Sequence, residues 1–600
     1  MLSITISNLP NPPSVLITET RIKKNYNLNL KNMKSKFTSK ILLLSLLGII
    51  ISITGCKKDD EIPFNEIPTI SAVTPAEGTV STELTIKGTN FMEGLTVYVG
   101  DVPCSNVEVS SATIIYAKVP SGIPANTFLP VKVANTGGGN TEYKDAFKAI
   151  DPVLSFVNSA TQPSGNAGST VILEGRAFGD LQGEGDVLFS DGSGGTIPAV
   201  IAAADDWTDE FIVTTVPGGA ADGPVVVKTE IGTSNEMEFK VTTAATFSPS
   251  TINWTETTAL PLAVSGHKAL SLSIENVDII TRYVFVSGGR DGDGAASDQV
   301  IKGMINADGT ISSWEPVSSL PGPLSFHASV TATPFNSRVD GSGYLFTIGG
   351  KNADGTTISG VSAAALNSDG TLQSWSAARA LPEPLHSAGA VIFRSTIYVA
   401  GGATTGNNPV PRVYKASIKE NGQLGEWESL PELPEGIAYH GFVSFGGYLY
   451  TVGGDTGNVT PYQGSQGTGI KEIFYARINL RTGDIGEWTE NPNSIGKERS
   501  KHSTLVLGGN MFISSGLYSG LSGNVGGSSE NAYASINADG TISSFNGATG
   551  SNTLFSRGGS NLFNQSGISY IDSDGVAHVM ILGGAKVGSP DTKLDKVLFY

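Results

Sequence analysis

From Pro68 onward apolar and polar residues alternate in short runs, cut repeatedly by Gly, Pro, Asn and Asp. That period places successive side chains on opposite faces of an extended chain and predicts half-buried β-strands joined by tight turns. The pattern repeats on two scales. PTISAVTPAEGTVSTELTIKGTNF, from Pro68, returns in altered form as PVLSFVNSATQPSGNAGSTVILEGRAF, from Pro152. After residue 246 a longer period takes over, marked by Trp254, Trp314, Trp375, Trp427, Trp488 and Phe545 at spacings of 60, 61, 52, 61 and 57 residues. Each long unit holds an apolar strand ending in a glycine pair or its relic: VFVSGG (284–289), LFTIGG (345–350), IYVAGG (397–402), LYTVGG (449–454), MFISSG (511–516) and VMILGG (579–584). Repeats of this length, one small sheet each, predict a ring of blades.

The two shorter copies resemble the IPT/TIG family of immunoglobulin-like folds. The resemblance rests on Pro75/Gly78 and Pro163/Gly168, on LTIKGTNF (84–91) and VILEGRAF (171–178), and on the Val-Pro pairs at 119–120 and 216–217. It covers 68–149 and 151–243 and implies binding or spacing modules. The long units resemble the Kelch motif over 246–600. The expected fold is therefore all-β: two immunoglobulin-like β-sandwiches followed by a six-bladed Kelch-type β-propeller. The last unit stops at LDKVLFY after its third strand, while STINWTE (250–256) is a strand without a unit. The Trp254 segment is expected to complete the last blade and close the ring, leaving no exposed sheet edge.

Residues 1–67 read as an address. Lys34, Lys36 and Lys40 precede an apolar run from Ile41, and Ile53-Thr54-Gly55-Cys56 resembles the lipobox of bacterial lipoproteins. That resemblance implies a signal peptide over 33–55, lipidation of Cys56, and a polar linker over 56–67. Residues 1–32 match no such pattern, so translation is expected to start at Met33. The run Lys57-Lys58-Asp59-Asp60-Glu61 is similar to a signal that sends bacterial lipoproteins to the outer face of the outer membrane. The expected location is thus the outer membrane, lipid-anchored and facing outward.

Charge and composition narrow the partners. Formal charge is −17, and residues 57–600 carry 31 Lys/Arg against 54 Asp/Glu, a balance of −23. Nucleic acid is not an expected partner, because phosphate binding needs a basic surface. The only cysteines are Cys56 and Cys104, too few for a disulfide framework, and Cys104 is read as a small buried hydrophobe.

Candidate chemistry lies on one face of the ring, where the loops after each diglycine are long and polar: 290–298, 351–360, 403–412, 455–469 and 517–527. The opposite face carries short turns such as Asn306-Ala-Asp308-Gly309. Arg290, Lys351, Asp455 and Tyr462 differ from their counterparts in other blades and are candidate specificity residues. Tyr439, Tyr462 and Tyr518 offer rings for stacking on sugars. His267, His327, His386, His440 and His502 are read as occupying one repeat position at the start of each first strand, with Arg557 in the sixth unit. They are either ligand contacts or scaffold groups fixing each strand to its neighbour. No catalytic residue, metal site or cofactor is assigned, and no metalloprotease, nucleophile-elbow or phosphate-loop motif is present. Galactose oxidase-like chemistry is excluded, since it uses a cysteine-linked tyrosine and the propeller has no cysteine.

The expected function is capture of a glycan or other extracellular ligand on the loop face by a surface-anchored lipoprotein. Two alternatives are a protein–protein adhesion or scaffold module, and a sugar-active enzyme similar to sialic acid mutarotase.

Overall fold

The computed structural model describes residues 67–600 apart from 158–162, 242–251, 253, 277–278, 334–341, 459–467, 508, 520–524, 528–530, 548–561, 572–575 and 587–588. Cys56, Tyr462 and Arg557 lie outside the described residues, as does the joint at 243–249.

Two sandwiches of matching design come first. In each, a sheet of three or four strands faces a five-stranded sheet. The first pairs Thr69–Thr74, Glu83–Thr89, Ile114–Lys118 and Ser105–Ser111 against a sheet built on Asn140–Ala149, Phe128–Ala134 and Thr96–Val99. Leu84, Ile86, Val97, Val99, Ile115, Val131 and Phe147 are fully buried between them. The Gly-x-x-Phe step of KGTNF and EGRAF has a packing cause. A side chain on Gly88 would collide with the Phe91 ring and the Thr69 carbonyl, and one on Gly175 with Phe178 and the Val153 carbonyl. Both glycines sit where the first strand slips register, between Ile70 and Ala72 and between Leu154 and Phe156. Cys104 packs half-buried against the first core, and burial pushes its thiol up to about 12, so it stays protonated.

The ring consists of six four-stranded antiparallel sheets. Blades 1 to 5 run in sequence, with first strands at Lys268–Asn276, Ala328–Ala332, Gly389–Phe393, Gly441–Phe445 and Ser503–Leu507. Blade 6 is composite: Ser566–Ile571, Ala577–Leu582 and Val597–Phe599 are completed by Thr255–Glu256, which pairs Thr255 with Phe599 and Glu256 with Leu598. The closure expected from the orphan strand is therefore present.

The markers of the sequence period join neighbouring blades. The indole N–H of Trp314, Trp375, Trp427 and Trp488 donates to the carbonyl of Thr258, Ser318, Arg379 and Pro431 respectively, each in the connection that leads in from the preceding blade. Blade 5 has Phe545 at that position, and there Asn491 of blade 4 exchanges hydrogen bonds with the Ile542 backbone. The second glycine of each diglycine donates its N–H to the following blade, at Leu324, Leu385, Ile437, Arg499, Leu562 and Val264 in turn.

The second sandwich docks on the short-turn face of blades 3 and 4. Arg477 pairs with Asp206, Arg481 reaches Asp180 at 2.8 Å and the Trp207 carbonyl, and the Arg394 guanidinium covers the Phe211 ring. Burial raises the Asp206 carboxyl above its ordinary value, and the Arg477 charge opposes that rise.

Closure gives a test. Ile252 is 2% exposed and packs with Trp254 against Leu505, Phe512, Val579 and Leu598, burial worth about 2–5 kcal/mol. A chain beginning at residue 257 is expected to unfold well below one beginning at residue 245 when both are followed by calorimetry. Equal midpoints would remove the closing role of this strand.

Candidate functional site

Around the axis on the long-loop face, one residue from each blade meets its neighbours through the backbone. Phe326 N–H donates to Gly266, Ser387 to Phe326, Tyr439 to Ser387, Lys501 to Tyr439, Asn564 to Lys501 and Gly266 to Asn564, at 2.8–3.1 Å. The six bonds form a closed cycle. All six residues have positive φ, between 52° (Phe326) and 63° (Gly266), and five are not glycine. That conformation costs an ordinary residue about 1 kcal/mol, and the cycle holds it in place.

The residue after each member of this cycle carries the scaffold histidines. His267, His327, His440 and His502 occupy it, with Ala388 and Gln565 in blades 3 and 6. The imidazoles of His327, His440, His502 and His267 press on Gly288, Gly401, Gly453 and Gly583, the first diglycine residue of the preceding blade. A side chain at any of those glycines would strike the ring, which is a second reason for glycine beside its positive φ. His327 Nε2 also meets Ser287 Oγ at 3.0 Å. These histidines are buried wedges between blades.

His386 corrects the expected repeat. It sits two positions earlier, opposite Ser265, Ser325 and Ser500, and bridges to Ala403 as those residues bridge to Arg290, Lys351 and Leu517. Its Nδ1 lies 3.1 Å from Ser387 Oγ and its ring lies against Tyr439. Likewise, the described sixth-blade counterpart of the scaffold histidines is Gln565, not Arg557.

Arg290, Lys351 and Asp455 do share one position, the first after each diglycine, but in different states. Asp455 is fully buried and accepts a hydrogen bond from Lys501 Nζ at 3.0 Å, while that ammonium lies 4.4 Å above the Tyr439 ring. Tyr439 is 7% exposed and packs edge-on to Phe326. Asp455 and Tyr439, expected to meet ligand, are thus engaged in the wall of the mouth. Tyr518 is half-buried, with Lys497 Nζ 5.7 Å from its ring centre.

Arg290 and Lys351 keep surface. Each opens a matching hairpin, 290–296 and 351–357, in which Asp291 and Asn352 side chains accept two backbone amides of their own loop. The hairpins are therefore pre-shaped. Arg290 Nη1 donates to the Gly294 carbonyl at 3.0 Å, and Lys351 Nζ reaches the Gly355 carbonyl at 3.4 Å and Thr357 Oγ1 at 3.5 Å. Among the described residues neither makes an ion pair, although Asp293 and Asp298 lie in the Arg290 loop. The two are close: burial first, then the Arg290 charge, lowers the Lys351 ammonium from its usual value. A larger groove of about 770 Å³, bounded by Tyr344, Gln373, Arg379 and Asn421, lies toward the rim between blades 2 and 3 and holds none of these residues.

Residues 68–148 match the IPT/TIG domain family. The fold and mouth define an all-β protein in which immunoglobulin-like modules carry a six-bladed propeller with a cationic patch. No curated protein matches the chain. Among solved structures it is similar to one titled "Structure of YjhT", at 14% identity, covering 57% of this chain and 96% of that one, with a TM-score of 0.39. No ligand or activity transfers at that distance.

The wedges give a pH test. Burial pushes His267, His327, His386, His440 and His502 down to about 3, below an unfolded value near 6.5. Their contribution is complete above pH 6.5 and is lost as pH falls toward 3, because only the unfolded chain takes up the protons. Each should remove roughly 1.4 kcal/mol per pH unit in that window. The urea midpoint is expected to drop between pH 6.5 and 5, and His440→Gln to reduce the slope. An unchanged slope would mean that His440 is not held neutral.

Proposed function

We propose that this protein is a surface-anchored binding lipoprotein whose propeller mouth captures an anionic extracellular ligand, with an acidic glycan as the favoured class. The observation that carries the reading is the Arg290–Lys351 patch: two adjacent, half-buried cations on pre-shaped hairpins, with no ion-pair partner among the described residues, in a chain that is otherwise strongly acidic. Placing like charges together costs stability, and a ligand carboxylate or sulfate would repay it through charge-assisted hydrogen bonds. The docking of the second sandwich supports the same reading, since it occupies the short-turn face and leaves the mouth open. The IPT/TIG match over 68–148 agrees with a binding or adhesion module.

Anchoring is the other half of the proposal. Cys56→Ser is expected to abolish incorporation of labelled palmitate and to release the protein from the membrane fraction; continued labelling would exclude Cys56 as the lipidation site.

For the ligand, a soluble protein of residues 57–600 is run in affinity electrophoresis against uronate- or sulfate-bearing polysaccharides and neutral ones. Retardation by acidic polysaccharides only, weakened roughly 10- to 100-fold in Arg290→Ala/Lys351→Ala and weakened further by salt, is expected. Equal retardation of the double variant would move the site elsewhere, and retardation by no glycan would favour a protein ligand.

A further inference from the structure

Beneath the cycle of backbone bonds lies a cavity of about 70 Å³ on the axis, lined by His267, Lys268, His327, His440, His502 and Gln565 together with the cycle residues. Lys268 opens the first strand of blade 1. The residues at its repeat position in the other blades are Ala328, Gly389, Gly441, Ser503 and Ser566, so one ammonium breaks an otherwise uncharged tier.

Lys268 is half-buried and lines the axial cavity. The cavity it lines is bounded by residues of all six blades, which places it near the centre of the ring. No carboxylate lines the cavity. The other lysine there, Lys501, is answered by Asp455. The imidazoles are neutral and offer N–H groups, and His440 has no hydrogen bond at either ring nitrogen. Among the described residues, Lys268 Nζ has neither an ion pair nor a hydrogen bond.

A half-buried charge in a cavity with no carboxylate in its lining is destabilising, and a counter-ion would relieve that cost. We propose that the axial cavity is a binding site for a small monovalent anion of halide size, with Lys268 Nζ as its charged ligand and His440 as a neutral donor beside it. The volume fits a halide with one or two waters, at about 30 Å³ per water, and excludes a saccharide. Such an ion would neutralise the axis and favour the closed ring, so its signature is stability. This site is separate from the mouth patch and stands or falls without it.

The test uses the soluble protein of residues 57–600, which contains the whole compact unit from Ile67 to Tyr600. Its unfolding temperature is measured in chloride and in gluconate at equal ionic strength, and crystals grown in bromide are examined for anomalous signal. The expected result is a midpoint that rises with the logarithm of chloride but not gluconate concentration, and a bromide peak on the axis within hydrogen-bond distance of Lys268 Nζ. Lys268→Met, which replaces the charge with an apolar chain of similar length, is expected to fold and to lose both signals. Equal midpoints in the two salts, or a peak that survives in Lys268→Met, would overturn the assignment. A peak without any effect on stability would mark an adventitious ion only. The salt comparison on the unaltered protein decides the question even if the variant fails to fold.

Discussion

Six blades are held to one another at the axis by a cycle of peptide hydrogen bonds in which every member donates to one neighbour and accepts from the other. A cycle has no end at which to fray, so breaking it at one blade releases the constraint on all. It also dictates backbone shape: Phe326, Ser387, Tyr439, Lys501 and Asn564 must hold a left-handed conformation that L-residues otherwise avoid. What surrounds the cycle makes that conformation tolerable. The following residue drives an imidazole into the preceding blade in four of six cases, and the diglycine receives it. Ring closure, buried histidines and glycine pairs are thus one device seen at three positions.

The same arrangement separates the two faces. Arginines on the short-turn side are committed to the second sandwich, where Asp180 and Asp206 answer Arg481 and Arg477. On the other side the hairpins that follow each diglycine are anchored by bridges to the residue preceding the cycle, such as Ser265 to Arg290 and Ser325 to Lys351. Rigid footing with variable side chains is what a binding surface requires. The scaffold repeats, whereas the residue after the diglycine runs Arg, Lys, Ala, Asp, Leu, Ala around the ring.

Much of this was legible in the chain because it is written in side-chain type. Alternation located the strands, the Gly-Gly pairs the second strand of each blade, the tryptophans the repeat period, and the orphan Trp254 segment the closing strand. The cycle was not legible, because Gly266, Phe326, Ser387, Tyr439, Lys501 and Asn564 share a backbone angle and no chemistry. His386 was misplaced by counting histidines alone. Aligning LPGPL (320–324) with LPEPL (381–385) sets His386 opposite Ser325 and leaves Ala388 opposite His327. Asp455 and Tyr439 looked like exposed specificity residues because sequence gives identity without depth. Lys501, the residue before His502, is the partner that takes both out of play.

Pseudo-sixfold symmetry gives each scaffold feature several copies, but the charges obey no such symmetry. Asp455 and Lys501 cancel on the blade 4 and 5 side, while Arg290 and Lys351 add on the blade 1 and 2 side. The mouth therefore has a polarity across the axis, and an anionic ligand would be drawn off-centre toward blades 1 and 2 rather than threaded along the ring. Phe326 is a buried part of that frame: it follows Ser325, which bridges to Lys351, and its ring packs on Tyr439. For the anionic ligand proposed above, that asymmetry would favour a molecule that carries its acid at one edge, because charge-assisted hydrogen bonds are available on one side of the axis only.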